Sequence, residues 1–286
     1  MHSHALVPCG CGYVAAADRL GAVCCRRMNR NPFTHAYLLR ELWAYGTPAA
    51  PVVGPVALHW VRVDGHGLDD YLNINMRQET PVVPVLSVDG ALTMSLTWMI
   101  AQALAVPIAA AHGRVGTAGL GLGYYALRVA AKHAVRSVDV YENDRGVIAW
   151  FEWAFAQRPE MRKIRVIAGD ARATLVDRAY DVFFADIHTL LLDDGVADDA
   201  AAFRRANRFG SYSFCGTERV VLDAYLAGET CDLSPLERRF FGHWQRTPSA
   251  NPAIGLARLY RPITDASFRE RVFAGLGRPW SPAPGT

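Results

Sequence analysis

Four titratable side chains and one glycine cluster stand at spacings that could do chemistry. Gly119, Gly121 and Gly123 lie in Arg114-Val-Gly-Thr-Ala-Gly-Leu-Gly-Leu-Gly-Tyr-Tyr-Ala-Leu-Arg128. Glu142 closes the alternating run Ser137-Val-Asp-Val-Tyr141. Asp170 and Ala171 come after Lys163-Ile-Arg-Val-Ile-Ala168-Gly169. Asp186 and His188 come after Tyr180-Asp-Val-Phe-Phe-Ala185. Glycine at a strand-to-helix turn permits positive φ and close approach of a ligand to the backbone. The helix N-terminus beyond it offers free N–H groups and a positive dipole end. Together these make a nucleotide-type ligand site. An acidic residue about twenty positions past such a turn can bind ribose hydroxyls, and Glu142 stands there. A carboxylate or an imidazole just past another strand can take a proton from a reacting group.

The elements that position these residues follow from periodicity. A short buried strand leads into the glycine turn, and a helix starts near Tyr124. Strands end at Glu142, Ala168 and Ala185. A helix from Arg145 to Gln157 carries Val147, Ile148, Phe151 and Phe155 on one face. Strands alternating with helices predict an α/β fold, with a doubly wound, mostly parallel sheet covered on both faces. Gly119, Glu142, Asp170 and Asp186 then share the carboxyl edge of the sheet, where open α/β sheets bind ligands.

The glycine turn, Glu142, Gly169-Asp170-Ala171 and Asp186 resemble, in order, the successive motifs of class I S-adenosylmethionine-dependent methyltransferases. The resemblance covers about residues 112–190. It implies a Rossmann-like methyltransferase fold, S-adenosylmethionine as cofactor and transferase activity. It implies Gly119, Gly121 and Gly123 under the methionine part, Glu142 on the ribose diol, and Asp170 and Ala171 beside the adenine. A nicotinamide dinucleotide fits less well. Its fingerprint leaves two residues between the last glycines, and here only Leu122 separates Gly121 from Gly123.

The order upstream is similar to the aminopropyltransferases of the spermidine synthase family, which place a small β domain ahead of a methyltransferase-like sheet. Val82 to Leu96 reads as a hairpin with Asp89-Gly90 at its tip. A helix from about Thr97 to Ala111 follows, then His112-Gly113 and the first sheet strand. The chain departs from that family at Leu122, where the family carries an acidic residue. It departs again at Ile187-His188, where the family continues with proline. A polyamine-type aminopropyltransferase is therefore the alternative reading. A non-catalytic cofactor-binding or interaction protein is another.

Methyltransferases of base amino groups carry Pro-Pro and an aromatic after the strand-four residue, and Asp186-Ile-His-Thr does not match. No Pro-Cys nucleophile occurs, which argues against covalent cytosine methylation. Nucleic acid is thus not supported as acceptor. The acceptor, small-molecule or macromolecular, is not identified by the sequence, and neither is the oligomeric state.

The totals set outer bounds. The 286 residues suffice for one large domain with extensions, and 51% hydrophobic residues supply an ample core. We expect a Cys-containing extension with a helix over 1–50, a hairpin subdomain and lead-in helix over 51–110, the cofactor-binding α/β domain over 111–265 and a tail over 266–286. A net charge of +3 demands no polyanionic partner. No apolar run reaches the roughly 18–20 residues of a membrane span, so no membrane partner is expected. A soluble, cytoplasmic protein with reduced thiols is the expectation. Cys9, Cys11, Cys24 and Cys25 suggest zinc by number, but the spacing within each pair is too short for a common knuckle, and no metal is expected there.

Elsewhere, Thr34 should cap a helix from His35 to Tyr45 with Leu38, Leu39, Leu42 and Tyr45 as its apolar stripe. The stretch from His188 to Cys215 reads as a long polar connection that builds an acceptor pocket or a lid. Its Asp193, Asp194, Asp198 and Asp199 suit a cationic acceptor, a magnesium ion or simply a solvated face. Helices should run from Thr217 to Ala227 and from Pro235 to Trp244. Leu256 to Pro262 reads as a late strand, and the tail from Arg278 to Thr286 as disordered.

Overall fold

The computed structural model describes residues 7–8, 14–15, 32–49, 51–62, 82–188, 195–241 and 266–283. Cys9, Cys11, Cys24, Cys25, Asp193, Asp194 and the expected strand Leu256–Pro262 lie outside the described residues. Val7–Pro8 (β1) and Val14–Ala15 (β2) form a short antiparallel pair.

The fold is α/β, centred on a parallel sheet. Its strands are β7 (Gly113–Ala118), β8 (Val135–Glu142), β9 (Ile164–Ala168), β10 (Ala179–Ala185) and β11 (Arg208–Phe214), in the order β11-β10-β7-β8-β9. All four strand pairings are parallel. The central strands are buried along most of their length, as the apolar run Val182 to Ala185 and the alternating run Val138 to Tyr141 show. Phe183, Phe184, Trp150, Phe151 and Phe155 fill the layers on the sheet.

A paired polar network also enters this core. The Tyr141 and Tyr180 hydroxyls meet at 2.8 Å, and Tyr180 donates to Asp139 at 2.9 Å. Arg114 and Arg165 close the network on Asp139, whose carboxyl they hold below the usual range against the opposing effect of burial.

A second sheet of four antiparallel strands precedes it: β3 (Val52–Val53), β4 (Val56–Arg62), β5 (Val82–Val88) and β6 (Ala91–Ser95). Asp89 and Gly90 have φ of 49° and 77°, the two positive values that a tight type I′ hairpin turn needs. The apolar stretch after it corrects the expectation of one helix. It forms two, α2 (Trp98–Ala103) and α3 (Ala105–Ala110), joined at Leu104. Pro107 has no N–H to give the Ala103 carbonyl, so the first helix cannot run on.

Helix α1 (His35–Tyr45) starts on Thr34, whose hydroxyl accepts the Tyr37 N–H, and stops at Gly46. Its buried stripe differs from the expected one. Leu39 is exposed and Glu41 is buried instead. Glu41 takes that face because it has partners there. Tyr124 Oη donates to it at 2.6 Å, and Arg128 Nε at 2.6 Å. Both belong to α4 (Tyr124–Ala130), the helix after the glycine turn.

The connection after Asp186 is largely regular structure. Helix α7 (Gly195–Ala206) buries Val196, Ala197, Ala200 and Phe203 on one stripe and leads into β11. Residues 278–283, read from sequence as part of a disordered tail, make defined contacts. Helix α10 (Ala266–Leu276) packs on α7, where a Cβ on Gly275 would lie 2.7 Å from the Ala200 Cβ. Trp280 donates to Glu229, and Arg278 pairs with Glu237 on α9 (Pro235–Phe241). Helix α8 (Thr217–Leu226) follows β11 directly.

Candidate functional site

The carboxyl edge of the parallel sheet opens into a cavity of about 660 Å³. That lies within the roughly 300–1,000 Å³ of small-ligand sites. Gly119, Gly121, Glu142, Asp170, Ala171, Asp186 and His188 all line it. Gly123 does not. It caps α4 with φ +71°, and its missing side chain makes room for the Phe151 ring.

Glu142 ends β8 beside the glycine turn. Its Oε2 accepts the Leu120 N–H at 2.9 Å and its Oε1 accepts the Asp144 N–H at 2.8 Å. These bonds fix the carboxylate in place. A carboxylate accepts about four hydrogen bonds, so roughly two lone-pair positions remain for a diol. Asp144 in turn caps α5 (Arg145–Ala154) through Gly146 and Val147. Asp170 caps the short α6 (Ala171–Thr174) by accepting the Arg172 N–H at 2.9 Å, and stays half exposed at the cavity wall.

Asp186 follows β10, which lies next to β7, and its N–H bonds the Ala118 carbonyl at 2.8 Å. Burial pushes its carboxyl up to about 6, and the Cys215 thiol pulls weakly the other way. That thiol is itself held protonated by burial and by Asp186. His188 is nearly enclosed, with Nε2 3.2 Å from Asp199 Oδ2.

The sequence offered Asp199 only as one of four aspartates suited to a cation or a solvated face, not as a partner of cavity residues. Far from a solvated face, it is buried and accepts both Arg172 Nε at 2.9 Å and Nη2 at 2.7 Å. Asp198 points out to pair with Arg271. Asp199 thereby ties α7 to two cavity residues, Arg172 and His188. A carboxylate on imidazole Nε2 favours the proton on that nitrogen, which orients the ring. The opposite wall comes from the antiparallel sheet and α2: Leu92, Met94, Met99 and Ile100. The sequence offered no signal for these beyond their apolar character.

Among the described residues, no group of three or more metal-ligating side chains is placed to hold an ion, and no helix is long and apolar enough to cross a membrane. No family model matches the sequence, and no curated protein matches it either. Several solved structures resemble parts of the chain. The methyltransferase CcbJ of Streptomyces caelestis is 22% identical, over 40% of this chain and 49% of that one, with a TM-score of 0.31. Trm5b of Pyrococcus abyssi is 12% identical, over 44% and 35%, with a TM-score of 0.33. Spermidine synthase of Thermotoga maritima is 14% identical, over 57% and 56%, with a TM-score of 0.33. The chain thus spans 35% to 56% of these three proteins. Likeness this partial assigns no function; the cavity residues have to.

Proposed function

We propose that this chain is an S-adenosylmethionine-dependent methyltransferase. The observation that carries the reading is how the glycine turn spends four of the five amides of residues 119–123. Gly119 N–H goes to the Tyr141 carbonyl at 2.8 Å, and Gly123 N–H to the Leu120 carbonyl at 2.7 Å. Leu120 N–H goes to Glu142 and Leu122 N–H to the Met94 thioether. A pyrophosphate needs such N–H groups free at the turn. The cavity wall is also acidic: Glu142, Asp144, Asp170 and Asp186 line it. Among the described lining residues Arg172 is the one permanent cation, and Asp199 holds it. Such a cavity suits a nucleoside that carries positive charge and no phosphate.

S-adenosylmethionine fits that description, and when bound it supplies a methyl group already activated on a sulfonium. Glu142 would accept from the ribose hydroxyls, already oriented by its two backbone N–H bonds. Asp170 and Ala171 would flank the adenine. Asp186 would take the acceptor's proton or hold an acceptor amine by a charged hydrogen bond. His188, oriented by Asp199, is the other base within the cavity. The remaining requirement is alignment of the acceptor, which the hairpin wall would provide.

Calorimetry tests this directly. S-adenosylhomocysteine should bind, and Glu142→Ala should weaken it by roughly 1.5–3 kcal/mol, the size of hydrogen bonds to a charged group. NAD binding more tightly than S-adenosylhomocysteine would sink the reading. With an acceptor in hand, turnover of decarboxylated S-adenosylmethionine to methylthioadenosine, and none of S-adenosylmethionine to S-adenosylhomocysteine, would replace methyl transfer by aminopropyl transfer.

A further inference from the structure

The register between β5 and β6 slips. Leu86 pairs with Met94 and Ser87 with Leu92, so Thr93 is left over on β6. A bulge of this kind breaks the period-two alternation and re-aims the neighbouring side chain. Met94 is the side chain next to it, and it points at the glycine turn. Its Sδ accepts the Leu122 N–H at 3.5 Å. A Cβ on Gly121 would lie 2.1 Å from that sulfur. The absent side chain of Gly121 therefore makes room for Met94.

That position matters to any nucleoside whose ribose is held by Glu142. In open α/β sheets the part of the ligand beyond the ribose 5′ carbon lies over the first glycine turn. Met94 already occupies this ground. We propose that Met94 sets the length of the 5′ substituent that the cavity admits. A short 5′ thioether fits beside it, whereas an amino-acid tail binds only by displacing it. This rests on the adenosyl reading above. Methionine suits such a role because its side chain is unbranched and readily repacked. The longer tail can displace it, at the cost of its contact with the Leu122 N–H and its packing on Gly121.

The test compares 5′-methylthioadenosine with S-adenosylhomocysteine by calorimetry on the full chain. Met94→Ala should bind S-adenosylhomocysteine about tenfold more tightly than the parent, because no side chain has to be moved aside. Its affinity for 5′-methylthioadenosine should stay within about threefold. Met94→Leu keeps the bulk and loses the sulfur acceptor, so its ratio of the two affinities should match the parent's. Met94→Val, a good strand former, likewise removes Sδ and Cε and serves if the alanine variant does not fold. Equal gains for both ligands, or an unchanged affinity for S-adenosylhomocysteine, overturn the inference and leave the adenosyl site standing. Absence of binding by both nucleosides in every variant and the parent overturns the adenosyl reading and this inference with it.

Discussion

Asp186→Asn should make the protein more stable at pH 7.5 and slower in turnover by roughly 10²-fold or more, the size of general acid–base effects. The stability half follows from burial. The Asp186 carboxyl titrates at about 6 in the folded chain because it is desolvated, and at about 3.9 when unfolded. A raised carboxyl favours folding fully only below the unfolded value, and that contribution is lost as pH rises through about 6. At pH 7.5 the ionised group therefore costs the folded state at most about 3 kcal/mol, since each tenfold weakening of the acid is worth about 1.4 kcal/mol. Asparagine keeps the shape and removes the ionisation. The variant should melt roughly 5 °C above the parent at pH 7.5. Near pH 4 the two should melt together.

A side chain that costs stability where the protein works is one that function retains. The turnover half carries that argument, with S-adenosylhomocysteine affinity expected to stay within about threefold. Equal melting of the two proteins at pH 7.5 would remove the raised Asp186 carboxyl from the account. Equal turnover on an identified acceptor would remove Asp186 from the mechanism and leave alignment as the source of rate.

Why the place of Asp186 could be read from sequence, and the partners of Asp199 could not, is a matter of where the information lies. Gly119, Glu142, Asp170 and Asp186 each follow a run of apolar residues at strand spacing. Parallel strands put such endings on one edge, and the four do converge on one cavity. Asp199 sits in an aspartate-rich run on an amphipathic helix, which reads as a solvated face. Only the packing of α7 against the sheet edge brings Arg172 and His188 to it. Strand β11 was hidden for a related reason. It is an edge strand with a mostly half-exposed pattern, and Gly210, Ser211 and Ser213 dilute its apolar signal. Met94 depends on a bulge, and a single extra residue leaves no mark on composition or periodicity. The break at Leu104 came inside a run so uniformly apolar that only Pro107 marked it.

Gly119→Ala should cost about 2–5 kcal/mol of stability and abolish S-adenosylhomocysteine binding, although it adds only one methyl group. Gly119 has φ +90°, where an L side chain is strained. Its Cβ would also lie 2.1 Å from the Asp186 carbonyl oxygen and 2.9 Å from the carbonyl carbon. Neither side can give way easily. The Asp186 N–H is bonded to Ala118 O at 2.8 Å, and the Gly119 N–H to Tyr141 O at 2.8 Å. The new methyl must therefore push the ends of β7 and β10 apart, which moves Asp186 and loosens the turn together. The strain alone is worth about 1–2 kcal/mol, and overpacking adds about 1–3. Gly90→Ala separates the two contributions. Gly90 has φ +77°, yet a Cβ there meets nothing within 4 Å. That variant should lose only the strain and keep its nucleoside affinity. Denaturant unfolding and calorimetry on both variants decide the matter. A Gly119→Ala protein as stable as Gly90→Ala, with nucleoside binding intact, would show that the strand ends yield to the methyl, and that close contact between β7 and β10 does not build the site.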